Sequence, residues 1–182
     1  IRPGGLERLG MDATSLLERS PRLVYAQLTG YGADGPAADR PGYDIGAFWS
    51  RSGVAGALAG SAEPPVQRPA MGDHTTGLAL VAAINAALFD RERTGCGGVV
   101  STSLVRTGAY VISSDLAAHA NGEIAEAGLR RALYNPLLGC YRAADDRWFF
   151  LLGLEATRHW PNVAAAIDRE DLVDDPRFGD FM

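Results

Sequence analysis

The residues best placed to do chemistry lie in Met71-Gly72-Asp73-His74-Thr75-Thr76-Gly77, which runs directly into the apolar segment from Leu78 to Phe89. This order puts a carboxylate at the mouth of a helix, between two glycines that let backbone and ligand approach closely. A helix N-terminus has unpaired N–H groups and a partial positive charge, so it favours an ionised carboxylate. An aspartate in that position is either a cap or a nucleophile, and the motif alone leaves both readings open. His74 could serve as a general base, but next to Asp73 on a helix start its side chain is expected to point elsewhere, which suits a capping or surface role equally. His119 and His159 stand alone in helical stretches. Three histidines without clustered spacing give no metal site.

All 17 basic residues are arginine. A phosphate-bearing ligand must therefore be held by guanidinium groups or backbone N–H groups, since the chain offers no ammonium. Gly95, Gly97 and Gly98 make a glycine-rich turn, but it follows a helix and enters a strand, the reverse of the phosphate-cradling order. The 22 acidic residues bring the net charge to −5, which argues against nucleic acid as a main partner. No apolar run reaches the length of a membrane span. Cys96 and Cys140 lack both a disulfide framework and metal-ligand spacing, so reduced thiols in a cytoplasmic protein are expected. The 182 residues, 47% of them apolar, have room for one ordinary domain or two small ones. The chain opens on Ile1 with no charged leader and no apolar signal region, and is expected to begin inside a longer reading frame.

The elements that must position Asp73 alternate along the chain. Asp12 caps a short helix through Leu16 and Leu17 to Glu18. Leu23 to Leu28 is a compact apolar run that reads as a buried strand, ending in the glycine- and proline-broken loop Thr29 to Pro36. Tyr43, Ile45, Phe48 and Trp49 predict a helix reaching Leu58, and a proline-rich linker from Glu63 to Pro69 follows. From Gly77 to Phe89 the apolar residues Leu78, Val81, Ile84 and Leu88 recur at helical steps, with Arg91, Arg93 and Gly95 marking the end. Val99 to Thr102 reads as a strand, and Ser103 to Ala120 as one long helix stopped by Asn121-Gly122. A hairpin is expected from Gly139–Ala143 and Arg147–Leu152, and a helix from Ala156 to Ile167. The sequence shows no internal repeat.

The order of these motifs resembles the class III CoA-transferase family, of the CaiB/BaiF type. The matching pieces are Arg2-Pro3-Gly4, Leu6-Glu7-Arg8-Leu9-Gly10, Pro21-Arg22-Leu23-Val24-Tyr25, Gly30-Tyr31-Gly32 and Asp39-Arg40-Pro41-Gly42-Tyr43-Asp44. They continue with Gly72-Asp73-His74-Thr75-Thr76-Gly77, Arg93-Thr94-Gly95-Cys96-Gly97-Gly98, Ser101-Thr102-Ser103-Leu104, Asn135-Pro136-Leu137, His159-Trp160-Pro161 and Asp174-Asp175-Pro176-Arg177-Phe178. No single piece is specific; their order across nearly the whole chain is. The resemblance implies an α/β fold with a Rossmann-like large domain and a smaller α+β domain. Residues 1–122 would be the central part of the large CoA-binding domain and 123–182 the start of the small one. Family members are about twice this length, so this chain looks like their middle, and in them two subunits interlock as a homodimer.

The resemblance also implies the chemistry. Asp73 would attack the thioester of an acyl-CoA and pass through a mixed anhydride to an aspartyl-CoA thioester, which a second carboxylic acid then reverses. A site closed to water makes a weak carboxylate nucleophile competent, and neighbouring N–H groups could hold the oxyanion. Coenzyme A enters as the acyl-CoA substrate, with no metal. Arg2 and Arg40 are expected near the CoA phosphates or adenine, Gly72 is expected to give the substrate room, and His74 is counted among the binding residues. Tyr43 stands where the family's racemases carry a histidine. A phenol with a pKa of about 10 is a poor base near neutrality, so Tyr43 argues for transfer over racemisation. Lining of the acyl pocket and direct hydrogen bonding are both open to it. The glycine-rich loop that shields the thioester in formyl-CoA transferase has no counterpart after the hairpin, where Leu152-Gly153-Leu154-Glu155 stands instead. Two other readings remain beside CoA transfer: a racemase or isomerase of the same fold, and a non-catalytic truncated subunit.

Overall fold

The parallel pairing of two short strands organises the first part of the molecule, for which we analysed a computed structural model describing residues 3–59, 62–122 and 135–178. Strand β1 (Val24–Thr29) runs beside β2 (Gly98–Ser103), with Val24 opposite Gly98 and Thr29 opposite Ser103. Parallel neighbours need a long crossover, and here it carries most of the unit: a π-helix over Ile45–Arg51, then α3 (Val54–Ala59), then α4 (Met71–Thr94). Two short helices, α1 (Pro3–Glu7) and α2 (Ala13–Arg19), precede β1. Asp12 caps α2, accepting from the Ser15 amide at 3.0 Å. Helix α4 packs against both strands and ends at Gly95, whose φ of 79° lets its N–H reach the Arg91 carbonyl at 2.8 Å. After β2 come α5 (Leu104–Val111) and α6 (Ser113–Ala120).

Ala47, Phe48, Trp49, Val54, Ala55 and Leu104 form the buried core of this unit, with Tyr31 and Ile112 packed against it. The π-helix supplies three of them in a row because its wide turn puts Ala47, Phe48 and Trp49 on the inside. Its geometry is supported by the Ser50 hydroxyl, which donates to the Ile45 carbonyl five residues back at 2.7 Å. The Trp49 indole is satisfied by the Pro65 carbonyl at 2.9 Å, which ties the proline-rich linker to the core.

The second compact unit, Gly128–Met182, is built on a hairpin of β3 (Leu138–Arg142) and β4 (Trp148–Leu152) followed by helix α7 (Ala156–Ala166). Leu137, Trp160, Ala164 and Leu172 are its core. The Trp160 indole donates to the Leu172 carbonyl at 3.2 Å, and its ring stacks on Phe178 with centroids 5.1 Å apart. The first unit runs over Ile1–Ala127.

Four expectations need correction. The helix expected from Tyr43 to Leu58 is split, because Gly53 takes a φ of 98° that no helix accommodates. The single helix from Ser103 to Ala120 is interrupted at Ile112, at φ −104° and ψ 26°. Helix α4 starts at Met71, two residues before the Asp73 that the motif put at its mouth, and its apolar Leu78, Val81 and Phe89 are exposed. Strand β1 has no fully buried residue, since β2 is its one strand neighbour among the described residues.

Candidate active site

Asp73 is the third residue of α4, in the first turn and not at the cap. The capping position belongs to Ala70, in the left-handed region at φ 60°, whose side chain can accept nothing. The missing acceptor comes from another segment. Asp44, just before the π-helix, takes the Gly72 N–H on both carboxylate oxygens at 3.1 Å each. Asp44 therefore does for α4 what a local Ser or Asp usually does. It leaves the Asp73 carboxylate exposed in the positive field of the helix end.

Gly72 is buried against Asp44 and Phe48, and a Cβ there would stand 2.5 Å from the Phe48 Cβ. Its lack of a side chain serves that packing, where the sequence suggested room for substrate. Gly77 has no neighbour that a Cβ would meet within 4 Å.

The Asp73 carboxylate lines a cleft of about 400 Å³ together with Thr29, Gly30, Arg40, Gly42, Tyr43 and Leu104. The cleft lies at the C-terminal end of β1, where ligands of open α/β sheets usually bind. One wall is formed by the close approach of two backbones: a Cβ on Gly30 would lie 2.5 Å from the Gly42 Cα. The Gly30 carbonyl accepts from the Val105 amide at 3.1 Å, joining this wall to α5. Tyr43 lines the cleft while 76% exposed, and its carbonyl accepts from the Gly46 and Ala47 amides at 3.1 and 2.8 Å, closing the turn into the π-helix.

Three of the six residues singled out from the sequence thus come together: Asp73, Arg40 and Tyr43. His74 is exposed, its amide bound to the Ala70 carbonyl at 2.9 Å, and it is absent from the residues that line this cleft. Arg2 lies outside the described residues. Sequence reasoning gave no role to Asp44, although one signal was available: a helix start with no capping residue of its own must borrow one. It also passed over Thr29 and Leu104, whose place in the cleft follows from the β1–β2 pairing. Among the described residues no group of His, Cys, Asp and Glu is arranged to hold a metal ion, and no helix is long and apolar enough to cross a membrane.

Comparison with known proteins shows the family. The sequence model for CoA-transferase family III matches residues 1–181. The chain belongs to CoA-transferase family III. It is 34% identical, over 97% of its length, to the cinnamoyl-CoA:phenyllactate CoA-transferase of Clostridium sporogenes, and covers 44% of that protein. It is 32% identical, over its whole length, to the (R)-2-hydroxy-4-methylpentanoate CoA-transferase of Clostridioides difficile, and covers 45% of it. Among solved structures it is similar to Rv3272 of Mycobacterium tuberculosis, with a TM-score of 0.78, 30% identity, and coverage of 100% of this chain and 47% of that one. The mixed α/β fold is thus that of CoA-transferase family III, and the chain spans under half the length of the relatives it matches.

Proposed function

We propose that the full-length protein transfers coenzyme A from an acyl-CoA to a free carboxylic acid, with Asp73 as the nucleophile. One observation carries the reading: in a chain of this family, the exposed carboxylate in the first turn of α4 lines a cleft with Arg40 and Tyr43. Asp73 attacks the thioester carbonyl and the C–S bond breaks, giving an acyl-aspartyl anhydride and the CoA thiolate. The thiolate attacks the aspartyl carbonyl, forming an aspartyl-CoA thioester and releasing the first acid as its carboxylate. The second carboxylate attacks that thioester, forms a new anhydride and expels the thiolate. Attack of the thiolate on the acyl carbonyl then yields the new acyl-CoA and returns Asp73 as a carboxylate. No net proton is taken up, so the cycle needs no general base, which accords with the exposed position of His74.

The helix end favours Asp73 in the charged form that attack requires. Arg40 is placed to meet an anionic part of the substrate, and Arg2 is proposed to contact CoA in the same way. On this reading residues 1–122 are the central part of the large CoA-binding domain and residues 123–182 the start of the small one. The full-length protein is proposed to be a cytoplasmic homodimer.

The test is trapping of the intermediate. Full-length protein mixed with an acyl-CoA should gain the mass of CoA less water on the Asp73 peptide, and hydroxylamine should remove it. Asp73→Ala should abolish that adduct and lower transfer by on the order of 10³-fold or more. Transfer undiminished in Asp73→Ala would overturn the assignment.

A further inference from the structure

The two segments that bring Tyr43 and Asp73 into one cleft are joined where the Asp44 carboxylate takes the Gly72 N–H. Each of these residues is the neighbour of a cleft residue: Asp44 follows Tyr43, and Gly72 precedes Asp73. Both carboxylate oxygens stand 3.1 Å from the amide nitrogen, so a rotation of the turn in either direction lengthens one of the two contacts.

The two sides are anchored unequally. On the Asp44 side, Gly42 is pressed against Gly30, the Tyr43 carbonyl accepts from the Gly46 and Ala47 amides, and Ala47, Phe48 and Trp49 are buried in the core. On the α4 side, residues 63–68 form neither helix nor strand, and Ala70 stands in the left-handed region with no oxygen on its side chain. The Met71 amide meets the Arg68 carbonyl at 3.4 Å, a long bond. A first turn whose N–H groups lack partners frays, so the orientation of this one depends on the acceptor that the other segment lends. Gly72 makes the grip possible, because a Cβ there would run into Asp44 Oδ1 and the Phe48 ring.

We infer that Asp44 is a positioning residue for Asp73: by gripping the Gly72 N–H from the segment that carries Tyr43, it fixes how the Asp73 carboxylate faces the cleft. The inference rests on the transferase reading above and adds the group that aims its nucleophile. Attack on a thioester carbonyl needs the oxygen on a narrow approach, and a misplacement of about 1 Å costs on the order of 10²-fold in rate. A loosened turn leaves Arg40 and Tyr43 in place, since both lie on the other segment. Loss of Asp44 therefore slows the covalent step and spares acyl-CoA binding.

The experiment is rapid-quench mass spectrometry of the Asp73–CoA adduct in the full-length protein, wild type against Asp44→Ala, Asp44→Asn and Asp44→Glu. In Asp44→Ala the rate constant for adduct formation should fall about ten- to a hundredfold, with full amplitude and an unchanged half-saturating acyl-CoA concentration. Asp44→Asn keeps an oxygen at the same reach and should recover most of that rate. Asp44→Glu keeps the charge but lengthens the arm by one methylene, and should stay slow. A purely structural role predicts a different split, in which fewer molecules react but each does so at the wild-type rate. A wild-type rate constant in Asp44→Ala, or in Asp44→Glu should Asp44→Ala not fold, overturns the proposal. So does an Asp44→Asn as slow as the other two, since an acceptor at the right reach would then not suffice.

Amide hydrogen exchange at Gly72 and Asp73, measured without CoA, separates this claim from the transferase reading. Exchange should quicken about five- to tenfold in Asp44→Ala and not in Asp44→Asn, and no change in Asp44→Ala also overturns the proposal. If the wild type forms no adduct yet exchange shows that difference, Asp44 fixes the turn and the transferase reading falls. If Asp44→Ala forms the adduct at the wild-type rate, the reverse holds.

Discussion

Gly30 and Gly42 meet backbone to backbone, close enough that a Cβ on the first would lie 2.5 Å from the Cα of the second. Gly30 ends the run from β1 and Gly42 precedes Tyr43, so their contact sets how far Tyr43 stands from the strand. Both line the cleft that holds Asp73. Neither glycine has a φ in the left-handed region, so close approach alone demands them.

Gly42→Ala must therefore push two backbones apart. Overpacking of this kind costs about 1–3 kcal/mol, and a denaturant titration of the full-length protein should show it. Transfer activity should fall further than stability does, because the displaced wall carries Tyr43 and Arg40. An alanine variant with wild-type stability and activity would show that the contact is slack.

Asp44→Ala removes the acceptor of the Gly72 N–H. The expected loss is about 1 kcal/mol, the usual value of an N-cap, read from the urea midpoint. Asp44→Asn keeps an oxygen in place and should recover most of it. Equal losses in the two variants would mean that charge, and not capping, matters at this position.

Thr76 is fully buried in α4, one turn beyond Asp73, and its hydroxyl has no hydrogen-bond partner among the described residues. An unpaired buried hydroxyl costs about 1–3 kcal/mol. Thr76→Val should leave the fold intact and raise the melting temperature. A drop would mean that the hydroxyl is satisfied in the full-length protein.

In the second unit, hydrogen bonds from the Arg177 side chain and amide hold the Asp175 carboxyl down to about 2 from its ordinary 3.8. A depressed carboxylate stabilises the fold above its unfolded value and loses that contribution as pH falls through the folded one. The pair should thus add constant stability above pH 3.8 and lose it between there and about 2. Carbon-detected titration of Asp175 measures this directly. Arg177→Gln should return it toward the ordinary range.

The sequence made the strands, the hairpin and the last helix readable because each is a short apolar run closed by its own glycine, proline or aspartate. Asp12 and Gly95 announced their helix ends in that way. Where the controlling group lies elsewhere in the chain, local pattern failed. The start of α4 depends on Asp44, twenty-eight residues before Gly72, so the local motif left Asp73 as a candidate cap where it stands in the first turn. The π-helix has no signature distinct from an ordinary amphipathic stretch. Asp73, Arg40 and Tyr43, singled out from motif order, line one cleft.

The borrowed cap on α4 has a kinetic consequence. Until the stretch around residue 44 has settled over it, the first turn of that helix lacks its acceptor and is free to fray, and Asp73 with it. A chain in which residue 44 has not yet settled thus holds Asp73 in an unfixed first turn.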